Sequence, residues 1–531
     1  MPRQTLAPAD IPRYHAWMLR GVLTVGGWTM ASRVLGFARD MLIAARLGAG
    51  PMADAFFVAL KLPNLFRRLF GEGAFNAAFI PAFAGTLAVQ GPQVARQLAE
   101  RMAALMTIWL SSLVVLGIVL MPQLMTVLAP GFSATPEKFA LAVELTRITF
   151  PYLLFICLTA LVSGVLNGLD RFAAAAAAPV FFNLLSMAAL LGLTPYVATP
   201  AHALAWGVMA SGIVQFGMVM WACARAGFSL RILRPPAITP EVRQVLKRMV
   251  PGVIGAGVTQ LNLAIDVIIA SLLPSGAVSY LYYADRVGQL PLGVIGAAVG
   301  TAMLPLLSRQ VRAGESLSAH RTTNRAMEMA LLLCLPAAVG QAVAAMPIVS
   351  VLFQRGAFGP EAGAATAAAL AAYALGLPAY VLVKVFAPGF FARGDTASPV
   401  KVGLAAVALN LALNLLLTRW LLHVGVALAT AISAWFNAAM LGWLLARRGQ
   451  LVLDRRLRQR VPRLMAAVLL MGVALSLLEP LLFPVAGPLR YAALAALIGA
   501  GGVVYFAAAH LFQALDLGEL RGLLRRRRRP A

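Results

Sequence analysis

Long apolar runs are the feature that most constrains what this sequence can fold into. Segments of about 18 or more residues with few charges, long enough to cross a bilayer as an α-helix, recur along the chain between short loops. The runs are continuous and do not alternate with polar residues, which argues against a membrane β-barrel. A soluble chain of 531 residues could not bury a composition that is 61% hydrophobic.

The runs predict an all-α polytopic membrane protein with fourteen transmembrane helices. Their predicted bounds are 21–46, 52–85, 98–129, 139–168, 172–194, 201–225, 249–273, 277–308, 325–354, 361–392, 399–421, 424–446, 463–484 and 489–513. Several exceed the ~20 residues that a span needs, so we expect tilts, kinks and cytoplasmic extensions. The mixed polar N-terminus leads into a charged first span, so we predict no cleaved signal peptide.

The distribution of Lys and Arg predicts the orientation. If the N-terminus is cytoplasmic, 31 of the 44 basic residues lie in segments on that side. The opposite loops hold five, namely Arg46, Lys138, Arg355, Arg419 and Arg490. Because basic loops stay cytoplasmic, we expect both termini inside. The net charge of +25 then reflects membrane topology, and we interpret the terminal Arg525–Arg529 run as an orientation signal beside anionic lipid.

An internal repeat predicts two lobes. Asn183 and Asn410 are 227 residues apart, and Arg225 and Arg447, each followed closely by Gly, are 222 apart. Similar offsets relate the segments 40–63 and 266–291. Six helices is an even number, so the two copies would insert in the same direction, as in two-lobed transporters. The predicted regions are an N-terminal segment (1–20), an N-lobe (21–235), a C-lobe (236–450), a terminal helix pair (451–515) and a basic cytoplasmic tail (516–531).

Charged residues within the spans predict a functional site. Arg33, Arg39 and Asp40 lie in the first predicted helix, Lys61, Arg67 and Arg68 in the second, and Arg286 in the eighth. Charge at the bilayer centre is costly and needs water, partners or a ligand. We therefore predict a hydrated, cationic cavity lined by helices 1, 2, 7 and 8. The guanidinium fork matches phosphate and carboxylate, so the expected cargo has an anionic head.

Other interpretations of these charges remain open. Arg33 with Asp40, and Arg68 with Glu72, are spaced as internal ion pairs, and we interpret Arg147 as structural, within reach of Glu144. Lys384, alone in helix 10, fits either interpretation.

A second polar set could bind a cation. Asp266, Asn410, Asn414 and Thr430 offer oxygen ligands for a sodium ion or a proton. Hydrogen bonding between helices is the alternative role. The three cysteines and five histidines are scattered and show no disulfide, metal-ligand or hydrolase motif. The prediction is therefore a transporter and not an enzyme, with no cofactor beyond a coupling ion or the membrane potential.

Several motifs resemble one family over almost the whole chain. SRVLGFARDMLIAARLGAGPMADAFFVALKLPNLFRRLF near the N-terminus and YYADRVGQLPLGVIGAAVGTAMLPLLS from Tyr282 are similar to signatures of the MurJ/MviN proteins. These are lipid II flippases of the multidrug/oligosaccharidyl-lipid/polysaccharide exporter superfamily. The resemblance implies fourteen spans, a cationic cavity that engages the lipid II diphosphate, and a groove for the undecaprenyl tail in the last two helices. It assigns the cavity contacts to Arg33, Arg39, Asp40, Arg67, Arg68 and Arg286.

The resemblance thus implies a peptidoglycan-precursor flippase of the bacterial inner membrane that works by alternating access. Gln289 and Asn414 stand where an acid would favour ion coupling, so the sequence leaves coupling open. The alternatives are an exporter of another undecaprenyl-diphosphate-linked sugar or of drugs. A drug antiporter would suit an acidic cavity, opposite to the bias seen here.

Overall fold

The structure is a computed structural model, and it describes residues 11–68, 73–232, 235, 237–483 and 487–515. Every regular element within these ranges is helical, with two short 3₁₀ segments at Pro130–Ala134 and Thr194–Tyr196. The α-helices are α1 (Ile11–Leu47), α2 (Pro51–Phe66), α3 (Gly73–Gln90), α4 (Pro92–Val119), α5 (Met121–Leu128), α6 (Pro136–Thr149), α7 (Tyr152–Gly168), α8 (Phe172–Gly192), α9 (Pro200–Arg225), α10 (Pro240–Ser271), α11 (Ala277–Arg312), α12 (Ser316–Val343), α13 (Ala345–Phe353), α14 (Pro360–Phe391), α15 (Ala397–Arg447), α16 (Arg455–Leu482) and α17 (Leu489–Leu511).

Nine helical stretches in the described ranges are long and apolar enough to cross a membrane. This confirms the all-helical, multi-pass class, while fourteen spans stays a prediction. One stretch, α15, has 51 residues, about 77 Å at 1.5 Å per residue, which is more than twice a bilayer core. Leu422 interrupts α15 with φ 49° and ψ −128°. The interruption lies between the predicted helices 399–421 and 424–446.

Three predicted helices are each divided in the structure. The predicted helices 98–129 and 325–354 break at Leu120 and Ala344, and 139–168 breaks around Pro151. The predicted helix 52–85 contains α2 and α3, and residues 69–72 between them lie outside the described ranges. Proline follows closely after two breaks, as Pro122 and Pro347, and lies within the third. Proline removes a backbone donor and clashes with the preceding turn, which explains these interruptions.

By backbone contacts the chain forms two compact units, one ending at Ser275 and the other beginning at Gly276. The first unit includes α10, which packs against α3. The division into an N-lobe (21–235) and a C-lobe (236–450), which rests on the sequence repeat, stays a prediction. The core of the first unit contains a column of phenylalanines, with Phe79 lying 5.0 Å from Phe75 and 5.8 Å from Phe83 between ring centroids. Gly168 permits this packing, because a Cβ there would lie 2.6 Å from the Phe83 ring.

The second unit is held together around α12. Tyr505 of α17 donates a hydrogen bond to the Leu332 carbonyl at 2.7 Å. Nearer the start of α12, the buried Glu328 accepts hydrogen bonds from Arg325 and from two arginines of α16, Arg456 and Arg460. The terminal helices are therefore fixed to α12 by a hydrogen bond from α17 and by charged contacts from α16.

The two units share a local feature that the repeat anticipates. Arg225 lies over the Trp221 ring at the end of α9, and Arg447 lies over the Trp443 ring at the end of α15, with both guanidinium carbons 5.2 Å from the ring centroids. The same four-residue spacing and the same distance occur 222 positions apart, which supports duplication of a helical unit.

Candidate substrate-binding site

The polar turn of α1 is anchored to α8. Asn183 donates from its side-chain amide to the Ser32 carbonyl at 2.9 Å. A Cβ at Gly36 would lie 3.4 Å from the same amide nitrogen, so the small residue permits the close approach. This contact fixes the face of α1 from which the predicted site residues extend.

That part of α1 contains a buried ion pair and also an exposed arginine. Arg39 and Asp40 are 7% and 2% exposed and are joined at 2.7 Å between Nη2 and Oδ1. The Arg39 guanidinium carbon also lies 5.1 Å from the centroid of the Phe182 ring of α8. Arg33 is exposed. Arg39 therefore has a carboxylate and an aromatic ring as partners in the interior, whereas Arg33 lies at the surface of the unit.

The end of α2 places two arginines on an irregular turn. After Pro63 the helix widens into a π-type turn at Arg67 and Arg68, a distortion that is frequent at functional sites. The Arg67 Nε donates to the Asn64 side chain at 3.2 Å. Arg67 is half-buried, as is Lys61, and Arg68 is exposed. The predicted Arg68–Glu72 pair lies outside the described residues.

In the second unit, Arg286 lies on a well-fixed part of α11. Gln341 of α12 donates to the Val287 carbonyl at 3.1 Å, and Arg286 is half-buried with its guanidinium carbon 4.9 Å from the centroid of the Tyr282 ring. Gln289 donates to Asp285 at 2.5 Å. Gln289 thus occupies the position at which an acid would favour ion coupling, and its side chain donates a hydrogen bond to Asp285 instead.

Three of the four proposed cation ligands meet in α15. Asn414 donates to the Asn410 side chain, and Asn410 lies 3.5 Å from the Thr430 hydroxyl. Both asparagines are fully buried. Asp266 is half-buried in α10, in the first unit. Among the described residues there is no group of three or more His, Cys, Asp or Glu side chains that could hold a metal ion. The sodium site stays a prediction.

Two further membrane-depth residues have identifiable surroundings. Arg147 donates to the Ile118 carbonyl at 3.1 Å, while Glu144 lies 3.3 Å from His202, so Arg147 has a structural contact with α4. Lys384 is exposed, and a Cβ at Gly296 would lie 2.6 Å from its Nζ. This glycine therefore accommodates the lysine between α11 and α14.

One buried ion pair was missed by the sequence analysis. Lys138 was assigned to an outer loop, but it is 6% exposed and lies 2.7 Å from the carboxylate of Asp54, which is 1% exposed. Its Nζ also lies 4.1 Å from the Phe132 ring centroid and 3.4 Å from the Ser275 hydroxyl. Asp54 is 84 positions and Ser275 is 137 positions from Lys138, so no spacing signal could have indicated these two partners.

This all-helical fold is similar to that of solved membrane transporters. A solved structure described as lipid II flippase MurJ in an inward closed conformation matches with a TM-score of 0.77 at 24% identity, covering 92% of this chain and 98% of that one. An inward-facing multidrug resistance MATE family transporter of the MOP superfamily matches with a TM-score of 0.68 at 14% identity, covering 81% and 98%. At these identities the likeness concerns the fold.

Sequence comparison identifies the family. A family model described as lipid II flippase MurJ matches residues 43–487. A probable lipid II flippase MurJ of Rhizobium tropici is 43% identical over 520 residues, covering 96% of this chain and 97% of the relative. A lipid II flippase MurJ of Burkholderia cenocepacia is 37% identical over 439 residues, covering 81% and 84%. The chain belongs to the MurJ family, which confirms the resemblance drawn from its motifs.

Proposed function

We propose that this protein is a flippase that moves lipid II from the inner to the outer leaflet of the bacterial cytoplasmic membrane. The observation that carries the proposal is full-length similarity to relatives named lipid II flippases, at up to 43% identity. Flipping forms and breaks no covalent bond of the substrate, so the protein is a transporter and not an enzyme. Its product would supply peptidoglycan synthesis and so cell shape.

The proposed substrate contacts are arginines that bind the diphosphate. Arg33 and Arg68 are exposed and Arg67 and Arg286 are half-buried, so their guanidinium groups are accessible to a ligand. A planar guanidinium donates two parallel hydrogen bonds to a phosphate, and low-dielectric surroundings strengthen the contact. The buried Arg39–Asp40 pair would position α1 within the same site.

The remaining steps of the mechanism follow from the substrate's chemistry. A diphosphate-linked disaccharide-pentapeptide is too polar to cross hydrocarbon unaided. We propose that two lobes alternate access to it, while the undecaprenyl chain stays in lipid or against α16 and α17. With both termini cytoplasmic, an inside-negative potential favours outward movement of an anion by ~2.3 kcal/mol per charge per 100 mV. Asp266, Asn410, Asn414 and Thr430 are the residues we propose for a coupling sodium ion or proton.

Complementation tests the proposal. In cells depleted of their own lipid II flippase, the wild-type chain should restore growth. Arg67→Ala and Arg286→Ala should fail although they insert normally, and Arg419→Ala, an exposed arginine of α15, should succeed. Normal growth with both Arg67→Ala and Arg286→Ala would contradict the proposed contacts.

An outer-leaflet assay tests the cargo itself. Lipid II exposed outside should accumulate with the wild-type chain and not with Arg286→Ala, and drug efflux should not change. Drug efflux without lipid II exposure would instead favour a drug exporter. Collapse of the membrane potential should slow flipping, and an unchanged rate would refute coupling to the potential.

A further inference from the structure

Two prolines at corresponding positions of the repeat, Pro63 and Pro291, lie inside α2 and α11. Proline has no amide hydrogen, so it cannot donate to the carbonyl four residues earlier in its helix. The carbonyls that lose this donor belong to Ala59 and Val287, and both residues are buried. A backbone carbonyl without a donor is strongly unfavourable within a membrane. Each of these carbonyls therefore needs a donor from outside its own helix.

In the first unit, a buried threonine of a neighbouring helix donates to the freed carbonyl. The hydroxyl of Thr149, the last residue of α6, lies 3.2 Å from the Ala59 carbonyl oxygen. The same hydroxyl lies 3.3 Å from the Thr146 carbonyl. That carbonyl already accepts a hydrogen bond from the Phe150 amide at 2.8 Å. The freed Ala59 carbonyl is therefore the better acceptor for the hydroxyl proton.

In the second unit, a buried glutamine has the same role. Gln341 of α12 is 9% exposed and donates from Nε2 to the Val287 carbonyl at 3.1 Å. Its Oε1 has no hydrogen-bond partner in the described part of the chain. A buried amide oxygen without a partner is unfavourable, so the donor end of the side chain is what this position uses.

A third proline shows the same arrangement away from the predicted substrate residues. Pro336 lies inside α12, and the carbonyl that it frees is that of Leu332. Tyr505 of α17 donates to this carbonyl at 2.7 Å. None of the six predicted substrate residues belongs to α12, so this contact is an internal comparison for the other two.

The kinks in α2 and α11, by contrast, adjoin predicted substrate arginines. Arg286 directly precedes Val287, and Arg67 follows Pro63 by four residues, about one helical turn. A donor held in a neighbouring helix fixes the kinked helix relative to that neighbour, and so fixes the arginine beside the kink. A guanidinium binds phosphate through two parallel hydrogen bonds, so its binding depends on its orientation.

We propose that Thr149 and Gln341 are positioning residues of the transport site. Thr149 holds the kink of α2 and through it Arg67. Gln341 holds the kink of α11 and through it Arg286. Both act on the backbone of another helix and not by contact with the substrate. Their effect on transport rests on the proposed function.

Removal of each donor tests the assignment in the full chain. Thr149→Val and Gln341→Met nearly keep the side-chain shape but leave the carbonyl without its donor. We expect each to raise the unfolding equilibrium constant in mixed micelles about tenfold. Lipid II exposure per folded molecule should also fall about tenfold, because a small displacement of a binding group is costly. Thr149→Ser keeps the hydroxyl and should retain both properties.

The proline variants show whether the freed carbonyl is the cause. Pro291→Ala restores an amide hydrogen, so α11 itself supplies the donor to Val287. Gln341→Met should then raise the unfolding constant far less in the Pro291→Ala background, and Thr149→Val far less in the Pro63→Ala background. Additive effects in either pair would overturn that assignment. If Gln341→Met alone does not fold, rescue by Pro291→Ala supports the proposal and absence of rescue overturns it.

Tyr505→Phe separates positioning from stability alone. It also leaves a freed carbonyl without its donor, so it should raise the unfolding constant by a similar factor. Lipid II exposure per folded molecule should nevertheless stay at the wild-type level. An equal loss of exposure in Tyr505→Phe and Gln341→Met would overturn the positioning role. If the wild-type chain exposes no lipid II, the flippase proposal fails, whereas the paired unfolding measurements still decide whether Thr149 and Gln341 hold the kinks.

Discussion

Breaking the buried Lys138–Asp54 pair should be one of the most destabilising single changes to a polar contact in the first unit. Both side chains are more than nine-tenths buried, and the charged atoms are 2.7 Å apart. Removing one partner of such a pair leaves an uncompensated buried charge and costs about 3–5 kcal/mol. An ordinary hydrogen bond between membrane helices contributes about 0.6 kcal/mol. The two values differ enough for a measurement to distinguish them.

The perturbation is a double-mutant cycle of Asp54→Asn, Lys138→Met and the double variant. We expect each single variant to lower the free energy of unfolding by about 3 kcal/mol or more. Lys138→Met also loses the contacts with the Phe132 ring and Ser275, so it should cost the more of the two. The double variant should be far less destabilised than the sum, because it contains no unpaired charge.

Reversible unfolding of the purified protein in mixed micelles, followed by tryptophan fluorescence, gives these free energies. A matched cycle on the exposed Asp395–Arg448 pair should show coupling below about 1 kcal/mol. The reasoning is refuted if the Asp54 and Lys138 effects are additive, or if each is as small as the effect at the exposed pair.

Three further predictions use contrasts within the chain. Gly207→Ala should lower the free energy of unfolding by about 1–3 kcal/mol, because its Cβ would lie 2.6 Å from the Ala189 Cβ. The control is Gly217→Ala in the same helix, whose Cβ would meet nothing within 4 Å and which should be neutral or slightly stabilising. Equal effects of the two substitutions would contradict the packing argument. Hydrogen bonds from Ser398 and Arg448 hold the pKa of Asp395 at about 2, below its ordinary 3.8. The stability that Asp395 contributes should therefore be complete above pH 3.8 and be lost as the pH falls through 2, a difference that melting curves of wild type and Asp395→Asn would show; a constant difference over that range would disprove it. Arg39→Ala should reduce folded yield in size-exclusion profiles because it removes the 2.7 Å ion pair with the buried Asp40, whereas Arg286→Ala should not, and equal yields would argue against this distinction.

Much of the architecture could be predicted because it depends on local properties of the chain. Apolar runs, basic loops and the repeat are readable one segment at a time, and they gave the helical class, the break in α15 and the terminal helix pair. Helix interruptions were harder to place. Pro151 is visible in the sequence, but whether a proline kinks a helix or divides it depends on the contacts of the flanking turns.

The site was less predictable because burial depends on tertiary packing. The sequence placed Arg33, Arg39 and Asp40 in one helix but could not indicate that Phe182 of α8 would cover Arg39. It likewise counted Lys138 as a loop residue, since Asp54 is 84 positions away. A charged residue within a predicted span therefore indicates importance. Only the folded structure shows whether that charge is buried with a partner or accessible to a ligand.

The difference between buried, paired charges and accessible charges explains how a cationic transport site can belong to a stable fold. A diphosphate that draws Arg39 away would break its 2.7 Å contact with Asp40, and breaking an ion pair whose members are 7% and 2% exposed is costly. Arg68 is exposed, so an anion can reach its guanidinium group from solvent. A ligand that must be released needs contacts with exposed groups such as Arg68. Buried contacts such as the Arg39–Asp40 pair hold the surrounding helices in place. Lysine at position 68 would keep the charge but lose the planar fork, so Arg68→Lys should retain expression while flipping slows, and Arg39→Lys should affect chiefly folding.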